Sequence, residues 1–237
     1  MHILEEIKIN EVMHSFLIRG DVKNPILLFL HGGPGCSELG LISHFNAELE
    51  KHFLVINYDQ RGSCKSFMAI DQKTMNLEQL LDDLLVIIKI MLKRYKKENI
   101  YLAGHSFGTL LGIIFCKKYP NLIKKYIGVS QVVDLIESEM IANNRILDIA
   151  IKKNNLKAIK DIRKVNSLQS VSEDYVKRIA IDKIWIKRFG GSFFGEKNLN
   201  KLSIVIINSP VYNWKDLLNY PKANEEDLSN YKLESLL

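Results

Sequence analysis

The chain has few cysteines, no long apolar run and no histidine after residue 105. Cys36, Cys64 and Cys116 are odd in number and irregularly spaced, a pattern that fits neither a disulfide framework nor a zinc site. The most apolar stretch, LLVIIKIML at 84–92, is far too short to span a membrane and contains a lysine. The N-terminal MHILEEIKINEV lacks the apolar core of a signal peptide. We therefore expect a cytoplasmic protein with reduced thiols and no bound metal.

The basic charge is spread along the whole chain. Residues 1–134 hold 16 Lys and Arg against 14 Asp and Glu, and residues 135–237 hold 17 against 13. An even surplus is typical of a soluble protein from a lysine-rich proteome, so we expect neither nucleic acid nor membrane as a partner. With 237 residues, of which 47% are hydrophobic, the chain can bury one substantial core.

Short apolar runs alternate with helical segments over the first two-thirds of the chain. Strand-like stretches at 9–20 precede four continuous apolar runs: PILLFL (25–30), FLVINYD (53–59), NIYLAG (99–104) and YIGVSQVV (126–133). Helical segments lie between them at 41–53, 76–97 and 108–120. Runs this apolar indicate strands covered on both faces, which predicts an α/β fold with a mostly parallel sheet.

The pattern changes after residue 134. Apolar residues then recur at helical spacing with lysines between them, through 135–154 and 174–191, and the final DLSNYKLESLL is also helix-like. LSIVIINS (202–209) fits a strand or a buried helix equally well. We predict a core over residues 1–134 and a largely helical cap or insertion over 135–237.

GHSFG at 104–108 matches the G-x-S-x-G pattern, with a predicted strand before it and a predicted helix after it. The two glycines permit the sharp turn that would lift Ser106 above the sheet, and the Phe107 N–H could then help to bind an oxyanion. The alternative is an ordinary glycine turn, because this pattern often arises by chance.

Two further loops follow predicted strands. HGGPG (31–35) frees backbone N–H groups to face a developing negative charge, and we expect His31 to brace this loop rather than to act as a base. In DQRGSCKS (59–66), a buried Asp59–Arg61 arrangement could hold the loops around a pocket. Taken singly, the first motif has a tight glycine turn as its alternative, and for the second motif a solvated turn is the preferred interpretation.

HGGPG, DQRGS and GHSFG, in this order on successive strand ends, resemble the α/β-hydrolase superfamily. More narrowly, the chain is similar to the prolyl aminopeptidase (proline iminopeptidase) branch, strongly over 25–134 and more weakly in the cap, where FGG and SPVYNWKDLL are suggestive. Cys64 departs from the resemblance, since glycine usually stands there. We expect Cys64 to be a small buried thiol without a catalytic role.

The resemblance implies acyl transfer without metal or organic cofactor. Ser106 would attack a carbonyl group, and the backbone N–H groups of Gly33 and Phe107 would form the oxyanion hole. The branch releases an N-terminal residue, often proline, from a short peptide or similar small substrate, and holds the free amine with acidic groups near the cap. Glu137 and Glu139 are the candidates, although solvated helix charges are the simpler interpretation.

The triad histidine has no candidate in its expected place. The fold orders the triad as Ser, then Asp or Glu, then His, whereas all six histidines, the last of them His105, precede Ser106. The triad acid is also missing, because the family carries it beyond the cap. We therefore expect a chain truncated at its C-terminus, with impaired activity. We also expect an exposed edge at YIGVSQVV, through which the chain would self-associate.

Three functions remain open at this stage. The first is a serine hydrolase of aminopeptidase type, whose activity belongs to the complete protein. The second is an inactive hydrolase-fold pseudoenzyme or binding module, and the third is an esterase of the same fold.

Overall fold

The computed structural model describes residues 1–33, 35, 37–66, 74–166, 181, 184–191 and 200–218. Clustering of contacts divides the chain into two units. The first comprises Met1–Val132 together with Val205–Tyr231, and the second comprises Val133–Ile204 together with Lys232–Leu237.

A six-stranded sheet organises the first unit, in the order β1-β2-β4-β3-β5-β6. Its strands are β1 (His2–Ile9), β2 (Val12–Arg19), β3 (Ile26–Leu30), β4 (Leu54–Tyr58), β5 (Ile100–His105) and β6 (Ile123–Val129). β2 pairs antiparallel with both β1 and β4, whereas β4, β3, β5 and β6 run parallel. The predicted mostly parallel α/β sheet is therefore confirmed.

The predicted helices at 76–97, 108–120 and 135–154 are found within two residues of their expected bounds, whereas the one at 41–53 is α-helical only to Phe45 and continues as a 3-10 helix at Ala47–Lys51. The helices are α1 (Leu39–Phe45), α2 (Leu77–Tyr95), α3 (Phe107–Lys118), α4 (Leu135–Lys152), α5 (Leu156–Asn166) and α6 (Asn200–Ile207). The side chain of Asn76 caps α2 by accepting a hydrogen bond from the Gln79 N–H, and Lys96 ends the helix in a left-handed conformation. None of the helices within the described ranges has the length and apolarity that a bilayer crossing requires.

The sheet is buried at its centre and open at one edge. Every residue of β4 is buried, and β3 is buried except at Phe29, so both strands are covered on both faces as their continuous apolar runs predict. β6 differs, because Ile127 and Val129 are 44% and 48% exposed. In the part of the chain that the structure describes, β6 pairs with β5 alone, which leaves its other side uncovered.

The second unit has its own small core. α4 and α5 pack against each other around Ile146, Ala158 and Ile162, and Trp185 closes this cluster. The Trp185 indole N–H donates to Asp161 at 3.1 Å, which satisfies its buried polar end. The predicted helix at 174–191 is only partly described, at 181 and 184–188, and the predicted C-terminal helix lies outside the described residues.

Residues 205–218 belong to the first unit, whereas the sequence analysis placed them in the cap. The reason is a set of buried polar contacts: the Tyr212 hydroxyl lies 2.7 Å from Ser37 Oγ and accepts from the Gly40 N–H at 3.1 Å. Asp216 also pairs with Lys65 at 2.7 Å. The LSIVIINS run (202–209) is helical up to Ile207, as part of α6, and no residue of this helix is buried, so both the strand and the buried-helix alternatives are wrong.

Candidate active site

Ser106 lies in the turn between β5 and α3, with a backbone that side chains rarely adopt. Its φ is +48° and its ψ is −119°. The Ser106 N–H donates to Val129 O at 3.0 Å, and its carbonyl accepts from both the N–H and the hydroxyl of Thr109. The strained conformation is held by several hydrogen bonds and lies where a parallel strand leads into a helix. Strain of this kind is frequent at functional residues.

Gly104 and Gly108 allow this turn because they remove two side chains from a crowded crossing. A Cβ at Gly108 would lie 2.2 Å from Leu30 O, and one at Gly104 would lie 2.5 Å from Gly108 O. Both distances are far below van der Waals contact and involve backbone atoms that cannot swing away. The G-x-S-x-G spacing therefore lets α3 approach β3 and β5 closely. We call residues 104–108 the nucleophile elbow.

The HGGPG segment, residues 31–35, forms a loop beside the elbow, which we call the oxyanion loop. Gly33 and Gly35 have φ values of +127° and +81°, in the region that favours glycine. A Cβ at Gly32 would lie 3.2 Å from Ser106 Cβ, so the loop runs directly against the serine. Pro34 lies outside the described residues.

His31 braces the oxyanion loop, as the sequence predicts. Its Nε2 accepts from the Gln60 N–H at 2.9 Å, and its Nδ1–H donates to Gly32 O at 2.8 Å. The Gln60 side-chain amide in turn donates to His31 O at 3.0 Å. Burial lowers the pKa of His31, because desolvation disfavours the imidazolium. A neutral ring with both nitrogens occupied is unsuited to act as a base.

Glu38 and His105 form a contact between the loop and the elbow that the sequence analysis did not find. His105 Nδ1 lies 2.5 Å from Glu38 Oε1, and the same oxygen accepts from the Gly32 N–H at 3.2 Å. The hydrogen bond to Glu38 raises the pKa of His105. The two residues are 67 positions apart, and no spacing rule relates them.

The DQRGS loop is held by an ion pair between Arg61 and Asp83. Arg61 does not pair with Asp59: its guanidinium makes two hydrogen bonds to Asp83 of α2, from Nε at 2.8 Å and from Nη2 at 2.9 Å. Asp59 and Arg61 are both buried, as predicted, but each bonds to a different partner. Asp83 sits on the helix face that packs against this loop, whereas Asp59 precedes Arg61 by two residues and bonds to the loop's own backbone, accepting from the Lys65 N–H at 3.0 Å.

Asp59 and Cys64 are both buried, and neither takes part in a salt bridge within the described part of the chain. Burial raises the pKa of Asp59 to about 7, and it raises that of the Cys64 thiol above its usual range. Cys64 donates to Asp216 O at 3.5 Å and has a φ of +29°, in the left-handed region that suits the glycine of the related motif. The expectation of a small buried thiol is confirmed.

In the described part of the chain, no hydrogen bond involves the Ser106 hydroxyl. His14 is fully buried beside Asp83, with its Nε2 3.7 Å from that carboxylate. Glu137 and Glu139 lie on α4 in the second unit, and their role in substrate binding stays a prediction.

Residues 25–151 match the α/β hydrolase fold family, and the chain belongs to that family. It is 38% identical over 153 residues to the probable aminopeptidase YbaC of Bacillus subtilis, which is 64% of this chain and 48% of that protein. It is 32% identical over 101 residues to a proline iminopeptidase of Heyndrickxia coagulans, which is 43% of this chain and 33% of that protein. The chain therefore spans about half or less of the length of these relatives.

Solved structures agree on the fold. A proline iminopeptidase-related protein from Thermus thermophilus aligns with all of this chain and 98% of its own, at a TM-score of 0.54 and 17% identity. An epoxide hydrolase from Vigna radiata aligns over 97% of this chain and 72% of its own, at a TM-score of 0.54 and 16% identity. At such identities the likeness concerns the fold alone.

Proposed function

We propose that Ser106 is the nucleophile of a serine hydrolase of aminopeptidase type, which releases N-terminal proline or a similar residue from short peptides. The observation that carries this proposal is the strained backbone of Ser106 at the strand-to-helix turn, with the oxyanion loop against it. The relatives named as aminopeptidase and proline iminopeptidases support the substrate class.

The reaction would proceed through an acyl-enzyme. Ser106 Oγ attacks the carbonyl carbon of the N-terminal residue while its proton passes to a base, and the tetrahedral oxyanion then collapses as the protonated amine leaves. Water next attacks the ester and regenerates the serine. The backbone N–H groups of Gly33 and Phe107 would hold the oxyanion, with the N-terminus of α3 adding a favourable dipole. Neither step needs a metal or an organic cofactor.

No residue of the 237-residue sequence is assigned as the base or as its acidic partner. All six histidines precede Ser106 in the sequence, whereas this fold draws its histidine from beyond the nucleophile. Loss of the histidine in a serine protease costs about a millionfold in kcat. The 237-residue chain should therefore acylate slowly, and full activity belongs to a protein that supplies both groups.

Glu137 and Glu139 are proposed to hold the free amine of the substrate. They lie in the first two turns of α4. A carboxylate there would discriminate a peptide N-terminus from a blocked one, because only the free amine is cationic. Glu137→Gln and Glu139→Gln should then raise KM for proline arylamides and leave KM for neutral acyl esters unchanged.

The missing histidine also favours a second candidate, an inactive pseudoenzyme or binding module that keeps the pocket without turnover. An esterase of the same fold is a third candidate, which differs in leaving group and pocket. Proline arylamides and short acyl esters separate the first candidate from the third.

A fluorophosphonate probe tests the serine itself. We expect slow labelling of the wild-type chain that is abolished in Ser106→Ala and unchanged in Ser43→Ala, a partly exposed serine of α1. Rapid labelling would mean that a base is present, and hydrolysis assays would then identify the substrate. Labelling that persists in Ser106→Ala would refute the assignment of the nucleophile.

A further inference from the structure

One carboxylate oxygen joins two segments that a serine hydrolase must keep in register. Glu38 Oε1 accepts from the Gly32 N–H at 3.2 Å on the oxyanion loop, and it lies 2.5 Å from His105 Nδ1 on the nucleophile elbow. Glu38 immediately precedes α1, so its backbone is anchored at a helix start. The contact spans the two elements on which catalysis would depend.

This link differs from the one that His31 provides. The hydrogen bonds of His31 tie the oxyanion loop to Gln60 in the loop after β4. Gly32, by contrast, is closely surrounded. A Cβ built at Gly32 would lie 3.2 Å from both His105 Nδ1 and Ser106 Cβ, and 3.3 Å from Glu38 Oε1. Gly32 is therefore enclosed by the elbow on one side and by Glu38 on the other.

We propose that Glu38 is a positioning residue, which holds the Gly32 amide and the His105 ring together and so keeps the oxyanion loop aligned with Ser106. The Gly32 N–H points at Glu38, and the N–H of Gly33, the next residue, is the one proposed for the oxyanion hole. The proposal rests on the function proposed for Ser106, but the contact itself can be tested without catalysis.

The charge state of the pair follows from its surroundings. Among the described residues, the groups that bear on the titration of His105 are Glu38, which favours the imidazolium, and His31, which burial keeps neutral. The Glu38 hydrogen bond raises the pKa of His105, so the charged pair persists at pH values where a free histidine has already lost its proton. The hydrogen bond is therefore charge-assisted, and it weakens as pH rises through the pKa of His105.

The first test follows His105 and Gly32 by NMR in the wild-type chain, in Glu38→Gln and in a control, Glu48→Gln, whose side chain is exposed. We expect the His105 pKa to fall in Glu38→Gln and to stay unchanged in the control. We also expect the Gly32 amide shift to follow the His105 titration in the wild type and in the control, but not in Glu38→Gln. A Gly32 amide that ignores this titration would overturn the brace.

The second test measures the rate of fluorophosphonate labelling at Ser106 across the same pH range. Glu38→Gln removes the charge-assisted hydrogen bond between residue 38 and His105. At pH values below the His105 pKa, this variant should therefore be labelled about tenfold more slowly than the wild type. The ratio of the wild-type rate to the variant rate should shrink towards one as pH rises past that pKa. His105→Gln is a second variant in case the first folds poorly, and it should behave in the same way. Equal rates at all pH values would overturn the positioning role. A wild-type chain that is never labelled would refute the proposed serine chemistry, while the NMR titration would still decide whether the brace exists.

Discussion

The buried pair of Arg61 and Asp83 should be the costliest polar contact to break in the first unit. Their side chains are 3% and 2% exposed, and they meet through two hydrogen bonds of 2.8 and 2.9 Å. Asp83 Oδ1 also accepts from the side chains of Asn10 at 2.8 Å and Gln79 at 3.0 Å. Asp83→Ala would therefore leave the buried Arg61 guanidinium without its counter-charge, whereas the amides of Asn10 and Gln79 can still reach water.

Removing one partner of a buried ion pair costs about 3–5 kcal/mol, because the remaining charge is left without compensation. A domain of this kind is stable by only about 5–15 kcal/mol, so Asp83→Ala should remove a large fraction of its free energy of unfolding. The double variant Arg61→Met/Asp83→Leu removes both charges, and it should recover most of the loss. Apolar replacements of buried pairs are often neutral.

Urea unfolding monitored by circular dichroism at neutral pH measures these differences. The control is Glu48→Ala, which breaks an exposed pair with Lys51 and should change the free energy of unfolding by less than about 1 kcal/mol. A loss below about 1 kcal/mol in Asp83→Ala would refute the argument from burial. So would a double variant whose loss equals the sum of the two single losses, since residues in contact should not be additive.

Three further predictions concern the remainder of the first unit. Burial raises the pKa of Asp59 from 3.8 to about 7, so this group's contribution to stability should decline as pH rises between those values. Asp59→Asn should remove that slope in urea titrations at successive pH values. Gly108→Ala places a Cβ 2.2 Å from Leu30 O and should lower the melting temperature sharply, whereas Gly191→Ala, with its nearest atom at 3.3 Å, should not. The exposed edge at β6 should drive self-association, which Ile127→Lys should suppress in sedimentation experiments. A wild-type monomer at all concentrations would contradict this expectation.

The elements that could be predicted from the sequence are those whose signals are local. The apolar runs before GHSFG and HGGPG form β5 and β3 within a residue of the expected bounds, because a strand buried on both faces must be continuously apolar. β6 begins at Ile123, three residues before its predicted start. The start was missed because Lys124 and Lys125 interrupt the apolar pattern, and both lie on an exposed edge strand. An edge strand tolerates charge, so its apolar pattern is weaker.

The polar partners of the site could not be predicted in this way. Arg61 binds Asp83, an acid 22 residues downstream on α2, rather than Asp59, the acid nearest to it in sequence. Glu38 carried no signal at all, because its significance depends on where β5 ends relative to the oxyanion loop. Spacing rules describe one helix or one strand, whereas these pairs depend on how α2 and β5 pack against loops from elsewhere in the chain.

These pairs also bear on how the site is built. His31 ties the oxyanion loop to Gln60, the residue before Arg61, and Asp83 fixes Arg61 to α2. Glu38 ties the same loop to the nucleophile elbow. The loops after β3, β4 and β5 are thus connected by contacts within the first unit, and the strained backbone of Ser106 is held by its neighbours in that unit. A strained backbone of this kind costs about 1–3 kcal/mol, so it persists only where surrounding contacts hold it. The contacts among these loops would supply that support if Ser106 is a preorganised nucleophile.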